Sequence, residues 1–196
     1  MKRLLQLGFL LGLGGMLAAA YFAPWFEYPR FRSAATVVQN GGRLEQFLVR
    51  LPADRIGAEI EAPATPGGAR LEHFKLRDAD GNVIGIAARH SLALGGGEQT
   101  AWLLTIPSRG TIALAGETTR VGSIASVLAT RGHLAGQNIE PELSLDPGAP
   151  ARSLAATGEF DGIDFELVET WLVSGIEPDG AIRGTLQLST VGRRRI

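Results

Sequence analysis

The hydrophobic pattern divides the chain into one continuous apolar run and a long stretch of alternation. Residues 4–26 contain a single strongly polar side chain, the amide of Gln6. A helix of that length rises about 1.5 Å per residue and would cross a hydrocarbon core about 30 Å thick. We therefore predict a transmembrane signal-anchor helix over residues 4–26. Its membrane-anchoring side chains include Leu4, Leu11, Leu17, Phe22, Trp25 and Phe26.

The same run also fits a cleaved signal peptide. Residues 18–20 are three alanines, which are the small residues that a signal peptidase reads. Aromatic residues crowd together from 21 to 31, however, as in the interfacial belt of a retained helix, so we favour the anchor. Because Lys2 and Arg3 precede the run, we expect a single-pass protein of the inner (cytoplasmic) membrane with its C-terminal domain in the periplasm.

Two glycines in the apolar run have the spacing of a helix-packing motif. Gly8 and Gly12 form G-x-x-x-G, which lets two membrane helices approach closely. Glycine is also common in membrane helices and in signal sequences that do not pair. The motif therefore makes helix association one alternative for this segment.

From Tyr28 onward, apolar and polar residues alternate with a period of two, which is typical of β-strands with one buried face. Predicted strands cover residues 31–39, 46–51, 56–62 and 154–160. Residues 71–90 form a predicted hairpin with Ile84, Ile86 and Ala88 on one face. The clearest predicted strand places on one face Ile163, Phe165, Leu167, Glu169, Trp171 and Val173.

Turn signals separate about nine such runs at intervals of about 8–12 residues. This pattern predicts an all-β fold, namely an antiparallel sandwich, a jelly roll or an open barrel. One short helix is predicted near residues 119–131, with Gly132 as its C-terminal cap. The predicted organisation is a cytoplasmic n-region (1–3), the anchor (4–26), a juxtamembrane segment (27–42), an extracytoplasmic β-domain (43–192) and a basic tail (193–196).

Composition excludes several classes of protein. The chain has 196 residues, so about 170 remain after the anchor, which fits one domain. The formal net charge of -1 leaves no electrostatic footprint for nucleic acid. The absence of cysteine excludes disulfides, thiolate metal sites and cysteine nucleophiles. We expect no cofactor.

Residues 78–82 resemble the opening of a calcium loop. Asp78, Asp80 and Asn82 are possible oxygen ligands, but position twelve of such a loop is Arg89 rather than the required carboxylate. A hairpin turn is therefore favoured. That hairpin would place His73 opposite Ala87 or Ala88, so His73 and His90 would not form a pair.

Five carboxylates lie between residues 159 and 169, and they are the only candidate catalytic groups. Glu166 and Glu169 could serve a hydrolase, which needs two carboxylates about 5–9 Å apart across a cleft. Because Glu169 shares a face with Leu167 and Trp171, it could instead be buried beside an arginine or mark a strand edge. We favour the alternative in which these carboxylates form a solvated acidic surface on the strand.

The absence of a catalytic motif favours a non-enzymatic envelope protein that acts as a scaffold or binds lipid or protein partners. Membrane lipid and other envelope proteins are the expected partners. The alternatives are an exported hydrolase of glycans or lipids and an assembly factor for a membrane complex. The layout resembles the one-anchor, β-jelly-roll components of lipopolysaccharide transport, and the alternation of residues 110–190 resembles AsmA-type envelope proteins. No site residue follows from either resemblance.

Overall fold

The computed structural model describes residues 35–38, 42–57, 60–62, 69–94, 97–119, 124–146 and 149–194. The predicted anchor, with Gly8 and Gly12, lies outside these residues. The strands are β1 (Ala35–Val38), β2 (Gly42–Leu51), β3 (Ile60–Ala62), β4 (Ala69–Arg77), β5 (Val83–Leu94), β6 (Gly97–Ile106), β7 (Gly110–Thr119), β8 (Asn138–Leu145), β9 (Ala151–Ala156), β10 (Ile163–Ile176) and β11 (Ile182–Arg194). A helix, α1 (Ile124–Thr130), and a 3₁₀ turn (Gly158–Phe160) complete the list.

Eight antiparallel strands close into a barrel. Around the barrel their order is β2, β11, β10, β9, β7, β6, β5 and β4, and β4 returns to β2. Strands β1 and β3 extend the edges of β2 and β4, and β8 pairs with the second half of β10. An eight-stranded barrel has an interior just wide enough to be filled by side chains.

The hydrogen-bond ladder is thin at two places in the barrel. Only one residue pair, Leu48 with Arg77, joins β2 to β4. Two pairs, which involve Glu166 and Leu167, join β10 to β9. The barrel therefore consists of two well-paired walls: the first wall is β4, β5, β6, β7 and β9, and the second wall is β2, β11 and β10.

The all-β prediction is confirmed, but the sandwich, jelly roll and open barrel are corrected to a closed barrel. Two walls that face each other across a core produce the same alternation as a sandwich, and the single pair between Leu48 and Arg77 has no sequence signature. The alternation predicted for β2 and β10 is confirmed, since Phe47, Val49 and Leu167 are buried while their neighbours are not.

Strand boundaries differ from the prediction at two places. After the turn at residues 52–54, the strand predicted over residues 56–62 is shorter than expected. Only Ile60–Ala62 is a strand in the described part of that range. The strand predicted at 154–160 is instead β9 followed by the 3₁₀ turn, because Gly158 adopts a positive φ of 66° that a strand cannot contain. The described ranges contain eleven strands rather than the predicted number of about nine.

Strand β5 divides the set that was predicted to share one face: Ile84 is buried in the core, but beyond a register shift near Gly85 the side chain of Ile86 is exposed. Ile86 is 49% exposed, whereas Ala87 is fully buried, so the face that carries Ile86 and Ala88 points outward. The inward face carries Ala87, Arg89 and Ser91, which are small or polar. The neighbouring strands contribute Phe74 and Trp102 to the interior, so little volume remains for large apolar residues on β5.

The predicted short helix near residues 119–131 is confirmed as α1, which packs against the core through Leu128. Gly132 has a φ of +82°, and its N–H donates to the Ala129 carbonyl, as expected for the residue that ends a helix. No helix within the described ranges is both long enough and apolar enough to cross a membrane.

Candidate functional site

Large side chains from both walls occupy the barrel interior. Several aromatic and aliphatic side chains are almost completely inaccessible to solvent, as expected when a small barrel is packed like any other protein core. The largest of them that lie on barrel strands are Trp102, Phe47, Phe74, Leu76, Leu104 and Ile106. A ligand would have to displace these side chains to enter, so the surface is the accessible part of the barrel.

A buried arginine ties the two walls together at one end. Arg109, in the turn between β6 and β7, donates to both carboxylate oxygens of Glu45 on β2 at 2.7 and 2.8 Å. Its Nε donates to Glu159 at 3.0 Å, and its guanidinium lies 4.7 Å from the centre of the Phe160 ring. Burial opposes the charge of Arg109, but Glu45 and Glu159 together raise its pKa above the usual value.

A second buried cluster links the walls toward the other end. The indole N–H of Trp102 on β6 donates to Glu169 Oε1 on β10 at 2.6 Å. Glu169 Oε2 lies 3.7 Å from Nε of Arg89 on β5, and Arg89 lies 3.6 Å from Glu72. The bond between Trp102 and Glu169 therefore joins β6 to β10 across the barrel interior.

A third link spans the joint between β2 and β4. Asp54, in the turn after β2, is fully buried and accepts two hydrogen bonds at 2.7 Å from Arg77 on β4. It also accepts a hydrogen bond from the Arg50 backbone N–H at 2.8 Å. Burial opposes ionisation of Asp54, but these bonds and the charge of Arg77 hold the pKa of its carboxyl below the ordinary value.

The lowered pKa of Asp54 predicts an acid-dependent loss of stability. The contribution of Asp54 is complete above its unfolded pKa of about 4 and is lost as the pH falls through the lower folded pKa. We expect Asp54→Asn to lower the melting temperature at pH 7 and the difference from the wild type to shrink below about pH 4. Melting curves of both proteins from pH 7 to pH 2 measure this, and a constant difference would contradict it.

Glu166 and Glu169 lie on opposite faces of β10. The Glu166 side chain is 42% exposed on the outer face, with its Oε1 3.9 Å from Arg152, whereas the Glu169 side chain is 7% exposed inside the barrel. The interpretation of Glu169 as a buried carboxylate beside an arginine is confirmed. The two carboxylates therefore cannot flank one bond of a substrate.

The carboxylate of Asp78 is used within its own turn. Asp78 Oδ1 accepts the Asn82 backbone N–H at 2.8 Å, and Oδ2 accepts the Asn82 amide at 3.2 Å. Gly81 supplies the positive φ of this turn, and Asp80 is exposed. The turn joins β4 to β5, and His73 pairs with Ala88 as predicted. Within the described residues, no cluster of three or more His, Cys, Asp or Glu side chains could hold a metal ion.

The described side chains on the outer side of β5, β6 and β7 are mainly apolar or uncharged. Burial patterns and strand pairing place the outward side chains of these strands in register across the surface. We call this surface the neutral face, since none of the side chains that define it is Asp, Glu, Lys or Arg; Glu117, further along β7, is in register with Gln99 and marks its edge. Its residues are Ile86, Ala88, His90, Leu92, Gln99, Ala101, Leu103, Thr105, Thr111, Ala113 and Ala115.

The neutral face combines protruding side chains with a groove. Leu103 is 45% exposed and Ile86 is 49% exposed. One step along the same strands lies a groove of about 350 Å³ that includes Ala101, Ala115 and Gly116 in its lining. Depletion of charge and exposure of large apolar side chains are features of protein-binding surfaces.

Sequence reasoning missed both the neutral face and the buried ion pairs. The available signal for the neutral face was the run 84–94, in which both alternating faces of β5 contain apolar residues. The ion pairs gave no local signal, because Arg109 and Glu45 are 64 residues apart in sequence.

The chain matches no model of a known protein family, and no curated protein matches it.

Proposed function

We propose that the chain is a non-enzymatic, single-pass membrane protein of the bacterial cell envelope. Residues 4–26 anchor it in the inner membrane, and the periplasmic barrel is a scaffold that binds other envelope proteins. The filled barrel interior is the observation that carries this proposal. Fully buried Phe47, Phe74 and Trp102 occupy the space that a carried lipid would need, so recognition takes place on the outer surface.

In this proposal the partners of the chain are membrane lipid around the anchor and proteins of the same envelope. The anchor supplies the contact with lipid, and the outer surface of the barrel supplies the contact with proteins.

Two observations favour the scaffold over the exported hydrolase. Glu166 and Glu169 lie on opposite faces of β10, and Glu169 is engaged by Trp102. The buried arginines of the barrel are likewise engaged in contacts between the walls, through Glu45 and Glu169. These charged groups stabilise the fold, which leaves the mainly apolar outer surface of β5, β6 and β7 as the candidate for recognition.

The proposal is tested on membranes from cells that express the full chain. We expect the protein to stay in the membrane after alkaline carbonate extraction, to keep residues 1–20, and to copurify with envelope proteins but with no lipid held in the barrel. A mature N terminus at Tyr21, or release by carbonate, would disprove the anchor. A lipid retained in equal amount with the protein would replace the scaffold by lipid carriage.

A further inference from the structure

We draw no further inference here: the strongest candidate, the mainly apolar surface patch on the outer side of β5, β6 and β7 with the groove that includes Ala101 and Ala115, carries none, because nothing in the described part of the structure shows what covers it.

Discussion

Replacing Arg109 by methionine should lower the free energy of unfolding by about 3–5 kcal/mol, the largest effect that we expect from a single substitution. The Arg109 side chain is 1% exposed and its partner Glu45 is 3% exposed. Without Arg109, the Glu45 carboxylate stays in the interior and loses its two short hydrogen bonds, although the ion pair with Arg43 at 2.6 Å remains. For a domain of this size the melting temperature should fall by roughly 6–20 °C, measured by circular dichroism.

A second substitution in the same experiment removes the Glu45 carboxylate that Arg109→Met leaves without Arg109. In Glu45→Leu/Arg109→Met both partners are apolar, and we expect most of the lost stability to return, because apolar replacements of a buried ion pair are often neutral or stabilising. Glu159, whose side chain is 43% exposed, can turn to solvent in this variant. A double variant as unstable as Arg109→Met would mean that packing around Phe160, rather than the charge on Glu45, accounts for the loss.

Replacing Trp102 by phenylalanine should cost about 1.5–3 kcal/mol, because it removes the indole N–H that donates to Glu169. Among the described side chains, Glu169 would keep the more distant Arg89, 3.7 Å away. The bond joins β6 to β10, so its loss weakens the contact between the walls as well as leaving a buried oxygen without a donor. Thermal unfolding of the variant measures the effect.

Trp171 provides a matched control for Trp102. It is 6% exposed and lies on the same strand as Glu169, yet its Nε1 has no hydrogen-bond partner within the part of the chain that the structure describes. Trp171→Phe therefore removes a similar volume but no hydrogen bond, and we expect it to cost well under half as much as Trp102→Phe. Equal losses would show that volume, and not the bond to Glu169, determines the cost.

Local alternation predicted the long hairpin of β10 and β11 because burial there follows the pleat of the strand. Phe165, Leu167 and Val173 are buried and Val168 is 38% exposed, which is the pattern expected for a period of two. Glu169 interrupts this pattern with a charge, and the sequence alone left open whether it was buried or catalytic. Only the position of Trp102 and Arg89 across the interior decides between those interpretations.

Strand β5 could not be oriented from its own residues. Ile84, Ile86 and Ala88 alternate along the strand, but a register shift near Gly85 leaves Ile84 in the core and turns Ile86 outward, and the direction of the faces beyond the shift depends on the volume that the neighbouring strands leave in the core. Trp102 and Phe74 already fill that volume, so β5 places Ala87 and Arg89 inside. Because Ile86 points outward as a result, β5 contributes an apolar side chain to the neutral face, and the sequence of β5 alone did not predict this.

Closure of the barrel was equally hidden from sequence reasoning. A single residue pair between Leu48 and Arg77, and two pairs between β9 and β10, distinguish the closed barrel from two separate sheets. The side-chain links that hold these joints connect residues far apart in the chain: Asp54 with Arg77, Arg109 with Glu45, and Trp102 with Glu169.

This division into two walls determines how the domain would yield under mechanical load. Force applied across the line between β2 and β4 meets the Leu48–Arg77 pair, the Arg55–Phe74 bridge of the turn that follows β2, and the side chains of Asp54 and Arg77. Force across β10 and β11 instead meets a ladder of thirteen pairs. Rupture should therefore begin at the line between β2 and β4.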